Sequence, residues 1–157
     1  ACPTLTKGKF AYDFGDTVGF TPLLKMFTLG HTFIPPAIPA GGLRYHGMAP
    51  TVSNLLENDM IEAASYHQLE VFDAAKLFLT TEGILPAPES AHAIKGAIEQ
   101  AKICTERNEA KTILFNLSGH GFLDLGSYAS YIDNNLEDYK LPDEVVMRYF
   151  ADLPVID

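Results

Sequence analysis

The stretch FNLSGHG, positions 115 to 121, ends an apolar run on one hydroxyl, Ser118, and then places Gly119 and Gly121 on either side of His120. A serine hydroxyl can donate or accept a hydrogen bond, and glycine lets backbone approach a flat ligand with no Cβ in the way. Together they could present a single polar atom and bare peptide to a heteroaromatic ring. SGHG also reads as an ordinary turn leaving a strand. Glu89 in PAPESAHA follows two prolines at the start of a helical pattern. A carboxylate there could meet a ligand, or could simply occupy a first turn that the helix dipole favours. His92, one turn on, reads as a packing residue, and Glu82, just before Gly83, as a solvated one. Arg44 in GGLRYHGMAP reads either as a ligand-side cation or as a solvated loop residue. His31, His46, His67, His92 and His120 include no pair at His-x-x-x-His spacing, which disfavours a zinc hydrolase.

These residues need elements to hold them. TILFNL, just before Ser118, is an apolar, β-branched run of strand length, expected to be buried on both faces of a parallel sheet. Ser118 would then lie beyond a carboxyl end of the sheet, where open α/β sheets bind ligands. IEAASYH is expected to be a second strand. From about Glu70, Val71, Ala74, Ala75 and Phe78 keep helical spacing, and Gly83 supplies a C-terminal cap. Ala91, Ile94, Ala97, Ile98, Ala101 and Cys104 form a stripe of mostly small residues, which predicts a helix packed closely on a sheet. TVSNLLENDM, preceded by Pro50, and LPDEVVMRYF predict two shorter helices. KGKFAYDFGDTVGFTP predicts short extended segments or a hairpin, and PPAIPAGGLRYHGMAP an ordered loop. Alternation of strands and helices indicates an α/β fold, and 157 residues suit one domain.

Composition narrows the functions. Eleven Lys and Arg against 20 Asp and Glu leave a formal charge of -9, which repels nucleic-acid backbones and anionic membranes. The uncharged stretch from Met26 to Leu43 is interrupted by Pro35, Pro36 and Pro39 and does not suit a membrane helix. Cys2 and Cys104 set no disulfide framework and fit a reducing cytoplasm. The opening ACPTLTKGKFAYDFGD, with Ala rather than Met first, reads as structure already under way and raises the expectation of a fragment or a processed chain.

FGDTVGFTPLLKMFTLGHTFIPP, AGGLRYHGMAPTVSNL, TEGILPAPESAHAI and FNLSGHG, in this order, resemble the C-terminal part of the tryptophan synthase β-subunit family, most closely its second, longer form. The resemblance extends from about Leu5 to Tyr139. It implies part of a fold type II pyridoxal phosphate enzyme, that is, a partial three-layer sandwich with a mostly parallel sheet, and a lyase that joins L-serine to indole by β-replacement. It assigns Ser118 to the pyridine nitrogen of the cofactor, with Gly119 beside it and Glu89 flanking the ring. A hydroxyl at that nitrogen leaves the ring neutral and a restrained electron sink. The resemblance also assigns the backbone carbonyls of Tyr45 and Gly47 to a monovalent cation, sodium or potassium, which carbonyl oxygens suit. The first form of the subunit has an aspartate where this chain has Arg44 and an arginine where it has His120, which puts in doubt substrate closure and tight coupling to an α subunit. The lysine that carries the cofactor and the glycine-rich loop for its phosphate belong to earlier family segments. The implied partners are therefore the N-terminal remainder of the same enzyme and, in a homodimer, a second copy, and the 157 residues alone are expected to be inactive. Serine or threonine dehydration by β-elimination, and a non-catalytic binding or scaffold module, are the alternatives.

Overall fold

The computed structural model describes residues 2–156. The chain forms two compact units, one from residues 38–42 and 66–139, the other from residues 2–37, 43–65 and 140–156. Among the described residues there are six helices and a two-stranded sheet.

The second of these units is built on a hairpin. Strand β1 (Lys9–Phe14) pairs antiparallel with β2 (Leu23–Thr28), Lys9 opposite Thr28 and Phe14 opposite Leu23. Asp16 closes the intervening loop by accepting the backbone N–H groups of Val18, Phe20 and Thr21 at 2.9, 3.2 and 2.7 Å. Hydrogen bonding from Thr21, then from the loop amides, holds its carboxyl well below the usual carboxylate range. Residues 46 to 48 extend the ladder: Leu29 N–H donates to the His46 carbonyl at 2.8 Å and Met48 N–H to that of Phe27 at 2.9 Å. Helix α1 (Thr4–Lys7) precedes the hairpin, and α2 (Pro50–Glu57), with proline in its first turn as expected, is tied to β2 through Ser53, whose Oγ accepts Phe27 N–H at 3.0 Å. Asp13 is fully buried and satisfied: Thr28 Oγ1 donates to one oxygen at 2.6 Å, while His31 Nδ1 at 2.6 Å and Phe14 N–H at 2.9 Å meet the other. Leu29, Phe33, Leu141 and Val146 form the core of this unit, the last from α6 (Asp143–Phe150), the helix expected over LPDEVVMRYF.

The other unit is helical. Helix α3 (Gln68–Glu82) starts with a reciprocal cap in which His67 N–H donates to Glu70 Oε1 at 2.7 Å, and ends at Gly83, whose φ of 71° is left-handed. Val71, Phe72 and Ala75 of α3, Ala91 of α4 (Pro88–Glu106) and Tyr128 of α5 (Leu125–Ile132) share one apolar core. The Tyr128 ring meets Phe72 edge-on at 5.1 Å, and its hydroxyl donates to the Pro86 carbonyl at 2.6 Å. Burial and then the charge of Asp124 push the Tyr128 phenol up to about 12.

Three expectations change. The small-residue stripe of α4 is buried at Ala91 and Ile94 but exposed at Ala101, and the helix packs on α3 rather than on a sheet. IEAASYH forms no strand. TILFNL forms none either, and Leu114, expected inside a sheet, is 93% exposed. Apolar β-branched composition makes a strand available, but only a hydrogen-bonded neighbour makes it one, and the ladder among the described residues is the antiparallel β1–β2 pair.

Candidate functional site

Ser118 follows the unpaired run 112–117, and its position is set from α4. Ser90, buried in the first turn of that helix, lies with Oγ 3.0 Å from Ser118 N and 2.5 Å from Ser118 O. The chain then turns at Gly119, whose φ is 71°, and a Cβ there would stand 3.0 Å from the Cβ of Ala87. Gly121 N–H donates to the Leu85 carbonyl at 3.0 Å, and a Cβ on Gly121 would fall 2.6 Å from Pro86 O. SGHG is therefore a turn, and it is folded against the Leu85–Pro86–Ala87 entry to α4. His120 Nδ1 accepts Phe122 N–H at 3.2 Å and so caps the short 3-10 turn Gly121–Asp124.

The same helix entry carries Glu89. Its Oε1 accepts Gly42 N–H at 2.9 Å. Asp124 feels it as well: burial, then the Glu89 charge, raises the Asp124 carboxyl above its ordinary value. His92, one turn further, donates from Nδ1 to the Pro88 carbonyl at 2.8 Å, which leaves Nε2 as the acceptor nitrogen, buried and without a partner. Burial holds its pKa below the usual histidine value, against the opposing Pro88 bond.

Ser118, Gly119 and Glu89 thus belong to one unit and converge on the first turn of α4. Arg44, Tyr45 and Gly47 belong to the other. Arg44 donates from Nη2 to the Pro35 carbonyl at 3.3 Å, with its Nε buried and unpartnered, so it is anchored rather than freely solvated. The Tyr45 carbonyl accepts the Thr4 hydroxyl at 3.0 Å, and Gly47 bridges to Thr28. Sequence reasoning missed Ser90, Gly42 and Asp124. For Ser90 the sequence offers only a serine next to Glu89, and its partner lies 28 residues away, where spacing carries no information.

The chain is 62% identical over 138 residues to tryptophan synthase beta chain 2 of Aquifex aeolicus, an alignment covering 88% of this chain and 32% of the relative. It matches about a third of a tryptophan synthase beta chain. The tryptophan synthase beta chain of Thermococcus gammatolerans is 58% identical over 143 residues, 91% of this chain and 32% of its own, and beta chain 2 of Methanosarcina mazei is 61% identical over 137 residues, 87% and 31%. Compared with family models, the chain matches none. Similarity of this order to the tryptophan synthase beta chains across nine-tenths of the chain covers both units. No helix among the described residues is long and apolar enough to cross a membrane.

Proposed function

We propose that residues 1–157 are the C-terminal part of a cytoplasmic, pyridoxal phosphate-dependent enzyme of fold type II that forms L-tryptophan from L-serine and indole, and that this part supplies the wall facing the cofactor ring. The observation that carries the reading is identity of 55 to 62% to tryptophan synthase beta chains over most of the chain. The residues around α4 fit a flat heteroaromatic group. Ser118 is exposed, its hydroxyl has only one loose contact, to Ser90 at 3.4 Å, and the peptide beyond it carries no side chain. When bound, the cofactor withdraws electrons from the substrate amino acid and makes its α and β bonds labile.

Ser118 would hydrogen-bond the ring nitrogen without supplying the charge that a carboxylate would, which keeps the ring from overstabilising a carbanion and favours β-replacement. Gly119 would let the peptide lie close to the ring. Glu89, oriented by Gly42, would flank it. Arg44 would line the substrate-side loop, and the Tyr45 and Gly47 carbonyls would hold a sodium or potassium ion; the Tyr45 oxygen keeps one lone pair beyond the one Thr4 uses. A homodimer completed by the N-terminal part, with or without an α subunit, would be the working form. The exposure of Leu114 (93%) and Leu117 (43%) supports a further layer packing on this segment, as a mostly parallel three-layer fold requires.

The test uses the complete protein. With pyridoxal phosphate it should develop a band at about 410–420 nm, where imines of this cofactor with lysine absorb, and convert L-serine and indole to tryptophan. The isolated 157-residue chain should not. Absence of the band and of tryptophan in the complete protein would refute the proposal, and a keto acid with ammonia irrespective of indole would favour β-elimination.

A further inference from the structure

Ser90 makes an unusual pair of contacts. It is 4% exposed, and its Oγ lies within hydrogen-bonding distance of the backbone N (3.0 Å) and the backbone O (2.5 Å) of one residue, Ser118. A strand neighbour would satisfy such groups through its own peptides; here one side-chain atom serves both. A hydroxyl has one proton and two lone pairs. The carbonyl can only accept, so the proton of Ser90 goes to Ser118 O, and Ser118 N–H donates to a lone pair of Ser90. With that proton committed, the contact between the two Oγ atoms can be a hydrogen bond only if Ser118 donates, and 3.4 Å is beyond the 2.5–3.0 Å of a good O–H···O bond. The Ser118 proton is therefore free for a better acceptor.

We propose that Ser90 is a positioning residue that clamps the Ser118 peptide to the first turn of α4 and leaves the Ser118 hydroxyl free to meet the ring nitrogen. This deepens the cofactor reading above and rests on it. Ser90 does not touch the ligand. It acts through Ser118 alone, so the two residues must be coupled.

The complete protein carrying Ser90→Ala, Ser118→Ala, both, or Ser90→Thr is titrated with pyridoxal phosphate, and affinity is read from the visible band. Ser90→Ala should weaken binding about 3- to 10-fold, the effect of about one neutral hydrogen bond. The double variant should bind within about 2-fold of Ser118→Ala, because Ser90 has nothing left to position. Ser90→Thr, which keeps the hydroxyl, should restore affinity to within about 2-fold of the parent on the same scale. Unchanged affinity in Ser90→Ala, or a double variant whose loss is the product of the two single losses, would overturn the inference while leaving the cofactor reading intact. A parent protein that binds no pyridoxal phosphate would overturn both. If circular dichroism shows Ser90→Ala unfolded, Ser90→Cys, somewhat larger but only a weak donor and acceptor, replaces it with the same deciding outcomes.

Discussion

Gly119 and Gly83 offer a matched pair for separating backbone strain from packing. Both have φ of 71°, but a Cβ on Gly83 would meet nothing within 4 Å, whereas one on Gly119 would stand 3.0 Å from the Ala87 Cβ. For Gly83→Ala only the left-handed backbone matters. That costs about 1–2 kcal/mol, offset by about 0.4–1 kcal/mol from the stiffer unfolded chain, for a net loss of roughly 1 kcal/mol. Gly119→Ala bears the same cost and must also open a methyl–methyl contact by several tenths of an ångström between two segments pinned by hydrogen bonds. Overpacking of that kind adds about 1–3 kcal/mol, so a total of roughly 2–4 kcal/mol is expected. Urea unfolding followed by circular dichroism gives both values if the slopes agree. Adding Ala87→Gly to Gly119→Ala should return part of the difference. Should Gly119→Ala prove no more costly than Gly83→Ala, the packing of the turn against the entry to α4 would be wrong, and with it the account of how Ser118 is held.

Asp13→Ala would leave the buried Thr28 hydroxyl and His31 Nδ1 without their acceptor, and should lower unfolding free energy by about 2–4 kcal/mol; a loss below about 1 kcal/mol would contradict the network. Tyr128, whose phenol is raised to about 12 by burial and the Asp124 charge, should titrate well above the value of about 10 found in the unfolded chain. Its contribution is therefore complete below pH 10 and is lost as pH rises through about 12. An absorbance titration of folded protein in which Tyr128→Phe removes a phenol titrating near 10 would refute this. His92 has the opposite sign: held neutral by burial, it binds a proton more readily when unfolded, so stability should be lost as pH falls below about 6.5. His92→Gln should flatten that acid limb, measured as melting temperature against pH.

What the sequence carried by itself was local. The helical spacing from Val71 to Phe78, the left-handed stop at Gly83 and the prolines that open α2 and α4 are chemistry within a few residues, and all are where the pattern put them. The turn at SGHG was equally legible, because glycine flanking a polar residue after an apolar run has few other uses. Strand character was not. TILFNL has the composition of a buried strand, yet pairing is a property of two segments, and among the described residues it has no pairing partner. The tertiary structure decided that Ser90, rather than Gly119 or His120 alone, fixes Ser118, that Gly42 orients Glu89, and that Asp124 adds a second carboxylate within reach of the Glu89 charge. Each of these joins residues far apart along the chain. A hydrogen bond acts over about 3 Å of space, whereas sequence patterns report neighbours within one or two turns of a helix.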